Sequence, residues 1–368
     1  MRPPDRPGLL LLEDGRVFRG RAASPGTRFG EVVFNTSMTG YQEILTDPSY
    51  LGQIVVMTQP HIGNYGVGAG AEESSRPWVE GFVARGFTRE PSSHASEGDL
   101  LDYLRRHRIP ALEGIDTRAL VRHIRESGAL RGVVTSEGGD LDELAARLAA
   151  HPRMDGRALA LEASTQKRYE IPAEGEARCH LAVLDFGTKE NILRSLARRG
   201  ARLTVLPAAT PADEILALGV DGVVLSNGPG DPEPLEGPIA TIREVLERDL
   251  PVLGICLGHQ LLGLALGART YKMKFGHHGG NQPVRDLETG RTLITSQNHG
   301  FAVDPESLPA GCRVTQRNLN DGSVEAFDVE GRPVVSVQYH PEAAPGPHEA
   351  ATVFDHFLDR VVGGQAAP

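Results

Sequence analysis

Regular alternation of strand-type and helix-type segments in the C-terminal half constrains the fold of this chain more than any other feature. Between residues 180 and 266, short apolar runs of strand length alternate with longer runs of helical spacing. The strand runs are 180–185, 202–206, 222–226 and 252–255. Such alternation predicts a doubly wound, largely parallel sheet. Ligands of these sheets bind at the carboxyl ends of the strands, so chemistry is expected there.

One cysteine stands at such a strand end. Cys256 follows the last of these predicted strands and precedes a predicted helix, with Gly254 and Gly258 two residues to either side. Small residues at this spacing allow the sharp turn of a nucleophile elbow. The helix dipole favours a thiolate, and the amide of Leu257 points toward any oxyanion that forms. A core cysteine in a strand–helix unit is the alternative interpretation of this motif alone.

A possible base and its orienting group follow another predicted strand, at 334–339. A cysteine nucleophile needs a base, and the base needs an acceptor that orients it. His340 and Glu342 are two positions apart, which places them on one side of an extended chain. Pro341 fixes its own φ and biases His340 toward extended backbone. Taken alone, this tripeptide is better explained by a surface turn.

A glycine-rich loop, Asn227-Gly-Pro-Gly-Asp231, ends a further predicted strand. The amides of Gly228 and Gly230 can approach a ligand closely, and one of them could complete an oxyanion hole with the amide of Leu257. A phosphate loop is the competing interpretation. It is weak, because G-x-x-x-x-G-K-[ST] occurs nowhere and the loop lacks the Rossmann spacing.

Length, charge and cysteine content narrow the class of protein. A chain of 368 residues is expected to form two domains. Its net charge of -10, without a basic run, argues against a nucleic-acid-binding surface. Three cysteines exclude a disulfide framework and fit no zinc pattern. This cysteine content favours a reducing cytoplasm. Because no apolar stretch approaches membrane length, we also expect a soluble protein with no membrane partner.

The N-terminal part has a different pattern. Short apolar segments between turn formers predict strands up to about residue 86, and three helical runs follow. We therefore predict a mixed, β-rich α/β domain over 1–150, a linker over 151–178 and the doubly wound domain over 179–368.

Three motifs together resemble the class I, or triad, glutamine amidotransferases over about 178–362. They are Asn227-Gly-Pro-Gly-Asp231, Gly254-Ile-Cys256-Leu-Gly-His-Gln260 and His340-Pro-Glu342. The resemblance implies that Cys256 attacks the side-chain amide of glutamine, with His340 as base and then acid and Glu342 as its orienter. It also implies glutamine contacts at Gly228, Gly230, Leu257 and Gln260.

A second resemblance runs nearly end to end. Residues 30–50, 60–64, 272–281, 297–301 and 336–342 are similar to the small subunit of glutamine-dependent carbamoyl-phosphate synthetases. It implies further glutamine contacts at Ser49, Asn298, Gly300 and Phe301. It also implies that ammonia passes through a tunnel to a large subunit, which makes carbamoyl phosphate from bicarbonate and two ATP for pyrimidines and arginine. ATP and a divalent metal are expected on that subunit, and no cofactor is expected in this chain. Whether the heterodimers form a higher oligomer is left open.

Other interpretations remain at this point. The chain could serve a different amidotransferase, such as anthranilate synthase, or be a non-catalytic binding protein or a free-standing hydrolase of γ-glutamyl peptides. No metal site is expected, because the adjacent His277 and His278 point to opposite faces of an extended segment. His259 is expected to pack within the helix after Cys256. Only four of the 38 basic residues are lysines, namely Lys167, Lys189, Lys272 and Lys274, and this scarcity is attributed to genome composition and given no functional weight.

Overall fold

A computed structural model describes residues 6–365, so the outermost residues of both predicted domains, 1–5 and 366–368, lie outside the described range. The chain divides into two units. The first comprises the residues through Met154 together with Lys274–Gly279, and the second comprises Asp155–Met273 and the residues from Gly280 onward. In the described part, no helix combines the length and apolar character needed to cross a membrane.

The first unit is built on a closed barrel with the strand order β1-β2-β8-β6-β4-β3-β9. In chain order the strands are β1 (Pro7–Leu12), β2 (Val17–Ser24), β3 (Thr27–Asn35), β4 (Gln53–Met57), β5 (His61–Ile62), β6 (Gly81–Val83), β7 (Gly86–Phe87), β8 (Ala111–Glu113) and β9 (Leu130–Thr135), and β5 pairs only with β7. The helices are α1 (Tyr41–Thr46), α2 (Leu100–Arg106), α3 (Thr117–Ser127) and α4 (Leu141–Ala150).

Strand β4 shows why this unit has more than one apolar layer. Ile54 and Val56 pack in one cluster with Leu120 and Ile124 of α3, whereas Val55 packs in another with residues of α1 and α2. Successive side chains of a strand point to opposite faces, so a strand buried on both faces is an unbroken apolar run. One face of β4 therefore packs with α3, and the other packs with α1 and α2.

The second unit contains a ten-stranded sheet in the order β10-β12-β11-β13-β14-β19-β18-β17-β15-β16. Its strands are β10 (Tyr169–Ile171), β11 (Cys179–Asp185), β12 (Ala201–Pro207), β13 (Gly222–Leu225), β14 (Val252–Ile255), β15 (Thr270–Asp286), β16 (Thr292–Val303), β17 (Cys312–Asn318), β18 (Val324–Val329) and β19 (Val334–Val337). Its helices are α5 (Leu159–Ala163), α6 (Glu190–Ala197), α7 (Ala212–Ala217), α8 (Glu236–Leu246), α9 (Leu257–Leu266) and α10 (Thr352–Gln365).

Helices cover both faces of the parallel part of this sheet, which runs from β12 to β19. Alternate residues of β11 divide between two clusters: Ala182 and Leu184 pack with α7, α8 and α9, and Leu181 and Val183 pack with α6 and α10. This is the doubly wound arrangement that the alternating sequence predicts. The parallel strands therefore end at one edge, where the loops after β11, β13, β14 and β19 begin.

The predicted linker differs from what the structure shows. Residues from Asp155 belong to the second unit, where Leu159–Ala163 forms α5 and Tyr169–Ile171 forms the antiparallel edge strand β10 beside β12. The periodicity of this segment is weak because only short pieces of it are buried. In β10 the side chains of Tyr169 and Glu170 are exposed.

Helix α10 provides a test of the packing on one face of the sheet. Phe357 is fully buried, whereas the neighbouring His356 is exposed. We expect Phe357→Ala to lower the free energy of unfolding by about 3–5 kcal/mol, because it leaves a cavity. The matched control His356→Ala should change it by less than about 0.5 kcal/mol. Urea unfolding measures both, and equal effects would contradict the assigned packing.

Candidate active site

The turn after β14 carries Cys256 at the start of α9. Its backbone lies at φ 53° and ψ −103°, a conformation that L-residues other than glycine rarely adopt. A Cβ added to Gly258 would lie 2.1 Å from the carbonyl oxygen of Leu225, and one added to Gly254 would lie 2.9 Å from that of Gly258. The two glycines are thus required for close backbone packing, and the strained turn is the predicted nucleophile elbow.

Pairing of β14 with β19 brings the predicted base to the cysteine. Ile255 is in register with Val337, and the amide of Cys256 donates to the carbonyl of Val337 at 2.9 Å. The chain then continues to His340, whose amide donates to the carbonyl of Ser296 at 2.8 Å. Both Cys256 and His340 are buried.

The imidazole of His340 lies between a sulfur and a carboxylate. Its Nδ1 bonds to Oε1 of Glu342 at 2.7 Å. Nε2 has no hydrogen bond of normal geometry, yet the sulfur of Cys256 is near enough for its charge to act on the ring. Burial alone would lower the pKa of His340, but the charges of Glu342 and Cys256 outweigh it and raise the pKa to about 10. The surroundings of His340 therefore favour its imidazolium form.

Lys189, to which the sequence analysis gave no role, is the second partner of Glu342. Its Nζ donates to Oε1 of Glu342 at 2.9 Å and to the carbonyl of Ala343 at 2.6 Å. Burial alone would raise the pKa of Glu342, but the charges of Lys189 and His340 lower it to about 2. Its position in the chain is the signal that could have identified it. Lys189 follows a predicted parallel strand, and such strands end at the same edge of the sheet as the strand before Cys256.

His259, three residues after the cysteine, does not face the nucleophile. Its Nδ1 bonds to Oγ of Ser336 at 2.5 Å, and its ring lies 4.9 Å from that of Phe327. Burial lowers the pKa of His259 to about 3. These contacts are with β18 and β19 rather than within α9, and it is His340, not His259, that lies beside Cys256.

The predicted oxyanion loop follows β13. A Cβ added to Gly228 would lie 2.2 Å from the carbonyl oxygen of Phe186, and Gly230 has φ 90°. Neither position tolerates a larger residue without rearrangement. Leu257 is the first residue of α9, where an amide has no acceptor within the helix.

Comparisons with known proteins agree for both parts of the chain. Residues 182–360 match the family described as glutamine amidotransferase class-I, and residues 10–134 match that described as carbamoyl-phosphate synthase small chain, CPSase domain. The carbamoyl phosphate synthase small chain of Yersinia pseudotuberculosis is 50% identical over 375 residues, which cover 98% of this chain and 96% of the relative. Those of Salmonella typhimurium and Escherichia coli K12 are each 50% identical over 369 residues, covering 96% of this chain and 97% of the relative.

This chain belongs to the carbamoyl phosphate synthase small chain family. Both sequence resemblances are thereby confirmed, as is the fold class of a β-rich first domain followed by a class I amidotransferase domain. The anthranilate synthase alternative loses its basis, because the match includes residues 10–134.

Within the small-chain fold, five of the predicted glutamine contacts lie on α9 and β16, Leu257 among them. Asn298 accepts a hydrogen bond at its carbonyl from Sγ of Cys256 at 3.6 Å, and Gly300 and Phe301 follow on the same strand. Nε2 of Gln260 donates to the carbonyl of Phe301 at 2.8 Å and to Oε1 of Gln338 at 3.1 Å. Both amide hydrogens of Gln260 are thus used, so a substrate would meet its carbonyl oxygen.

Ser49 is the one predicted glutamine contact that belongs to the first unit. It lies in a short 3-10 turn, Pro48–Tyr50, where its amide donates to Oδ1 of Asp47 at 2.9 Å and the residue is buried. The other predicted site residues belong to the second unit. The contact of Ser49 with glutamine, and the roles of these residues, stay predictions.

The charge state of His340 can be tested directly. Because its folded pKa is raised above the ordinary 6.5, the stability that it contributes is complete below about pH 6.5 and is lost as the pH rises through about 10. We expect NMR of labelled histidine to show His340 as imidazolium at pH 8 and Glu342→Gln to lower its pKa. His107, whose pKa is lowered by burial and by Arg106, should be neutral there and serves as the internal control. A neutral His340 at pH 7 would contradict the assignment.

Proposed function

We propose that this chain hydrolyses L-glutamine to glutamate and ammonia and supplies that ammonia to a large synthetase chain, which uses it to make carbamoyl phosphate. The observation that carries the proposal is the buried row of Cys256, His340, Glu342 and Lys189 at the carboxyl edge of the parallel sheet. A thiol, a base, an orienting carboxylate and a fixed cation form a complete set for acyl transfer.

In the first half of the proposed reaction, the thiolate of Cys256 attacks the side-chain amide carbon of glutamine. A carbon–sulfur bond forms and the carbonyl oxygen becomes an oxyanion, for which the amides of Leu257 and Gly230 are the proposed donors. The imidazolium of His340 then gives its proton to the amide nitrogen. The carbon–nitrogen bond breaks, ammonia leaves and a γ-glutamyl thioester remains.

In the second half, neutral His340 takes a proton from water, and the resulting hydroxide attacks the thioester carbon. A second oxyanion forms in the same place and collapses by breaking the carbon–sulfur bond. Glutamate leaves, and the thiolate of Cys256 and the imidazolium of His340 are restored. Glu342 keeps the ring in one orientation throughout, and Lys189 keeps Glu342 ionised.

The partner and cofactors of the reaction follow from the proposed division of work. ATP and a divalent metal act on the large chain in this proposal, and ammonia reaches it through a tunnel, while this chain uses no cofactor. All three cysteines are free thiols, which supports placing the pair in a reducing cytoplasm. The retained Cys256, His340 and Glu342 argue against a non-catalytic binding protein.

Removal of the nucleophile tests the division of work. We expect Cys256→Ser to abolish glutamine-dependent carbamoyl phosphate synthesis by the assembled pair, because a hydroxyl is a far weaker nucleophile than a thiolate. Synthesis from added ammonium chloride should stay close to that of the unchanged pair. Both rates are measured on the same preparation. Loss of both activities together would contradict the proposal.

Lys189 can be tested as a positioning residue. Lys189→Met removes the cation that lowers the pKa of Glu342, so we expect glutamine hydrolysis to fall at least about tenfold. Because Glu342 would then take up a proton at higher pH, the acid limb of the kcat profile should also move to higher pH. The exposed Lys167 provides the control Lys167→Met. A lower rate with an unmoved acid limb would assign Lys189 a purely structural role.

A further inference from the structure

An open cavity on the first unit carries an excess of positive charge. It has a volume of about 590 Å³, and four arginines line it: Arg85, Arg118, Arg122 and Arg125. The single acidic residue in the lining is Asp116, and the remaining lining residues are Thr58, Pro60, Thr117 and Val121. We refer to this cavity as the arginine pocket. Its charge is opposite to the net charge of -10 of the whole chain.

The guanidinium groups of the arginine pocket are not neutralised by carboxylates within residues 6–365. All four arginines are exposed, and among the described residues none of them lies in an ion pair with an aspartate or glutamate. Asp116 is already engaged, because its side chain accepts from the amide of Ala119 at 2.9 Å and caps α3. The pocket therefore presents hydrogen-bond donors and charge that are available to a ligand.

The spacing of the arginines favours a ligand with several separate negative groups. Arg118, Arg122 and Arg125 lie at i, i+4 and i+7 of α3, so they form one stripe about 10 Å long. One phosphate group would engage only part of such a stripe. The capped N-terminus of α3 also offers fewer free amides to an anion, because Asp116 occupies that end. Carboxylates spaced along a protein segment match the stripe better.

The character of the pocket also favours a protein over a small metabolite. Sites for small molecules hold only a small number of polar groups, whereas four of the nine residues that line this pocket are arginines. Arginine is enriched at the centres of protein interfaces, where its planar group binds carboxylates in pairs. Pro60 and Val121 add apolar area to such a contact.

We propose that the arginine pocket docks an acidic segment of the large synthetase chain, with side-chain carboxylates bound by Arg118, Arg122 and Arg125. This inference rests on the proposed function, since it takes the large chain as the partner. An otherwise acidic chain repels an acidic surface, so a local basic stripe also fixes where that surface binds. The pocket therefore determines the register of docking and contributes to its rate.

The test is binding of the purified large chain to the full-length small chain, measured by calorimetry at two or more salt concentrations. We expect Arg122→Gln to weaken binding about tenfold and the triple variant Arg118→Gln/Arg122→Gln/Arg125→Gln to weaken it about a hundredfold. The triple variant should also show a smaller salt dependence. Glutamine hydrolysis by the isolated variants should be unchanged, which also shows that they fold.

The matched control removes the same charge from exposed arginines elsewhere: Arg19→Gln/Arg106→Gln/Arg168→Gln. Its affinity for the large chain should stay within about twofold of the unchanged chain. Equal weakening by both triple variants, or by neither, would overturn the inference.

Inorganic phosphate is the probe for the competing ligand. Saturable phosphate binding that is lost in the pocket variant, together with unchanged affinity for the large chain, would overturn the inference in favour of a phosphoryl site. Failure of the unchanged chain to bind the large chain would instead refute the proposed function, and the pocket inference with it. The two failures are therefore distinguishable.

Discussion

Parallel pairing of β14 with β19 is the constraint on which the active site depends. The register sets Ile255 opposite Val337, and the amide of Cys256 closes the ladder on the carbonyl of Val337. Two segments about 80 residues apart in the chain therefore end at the same sheet edge. The sulfur and the imidazole lie close together because the backbone hydrogen bonds place them there, independently of the rotamers that the two side chains prefer. A slip of β19 by one residue would turn its side chains to the opposite face of the sheet and separate them from those of β14.

Electrostatics then determines which side chains this edge can bury. In the proposed reaction, the attacking thiolate of Cys256, the imidazolium of His340, the carboxylate of Glu342 and the ammonium of Lys189 alternate in sign and sum to zero. A single buried charge costs several kcal/mol, whereas a neutral row with good hydrogen bonds compensates that cost. Loss of one member leaves a buried charge that neither a partner nor water neutralises. The row is therefore best understood as one unit, in which each group sets the ionisation of its neighbour.

Some residues of the site could be predicted from the sequence, and others could not. Cys256 and His340 were accessible because each follows an apolar strand in a local motif. Lys189 was not, because its role depends on the sheet order that sets β11 beside β13 and β13 beside β14. Strand alternation reveals that a parallel sheet exists but not which strands are neighbours. The barrel was visible only as β-rich sequence, since β6 and β8 are three residues long and carry no measurable period.

The proposed reaction also keeps the buried row neutral. When Cys256 forms the thioester it loses its negative charge, and when His340 gives its proton to the leaving nitrogen it loses its positive charge. Glu342 and Lys189 then remain as a hydrogen-bonded pair of opposite charge. Because a buried ion costs several kcal/mol unless it is paired, a reaction that removes the two charges together avoids that cost, and the nitrogen departs as neutral ammonia.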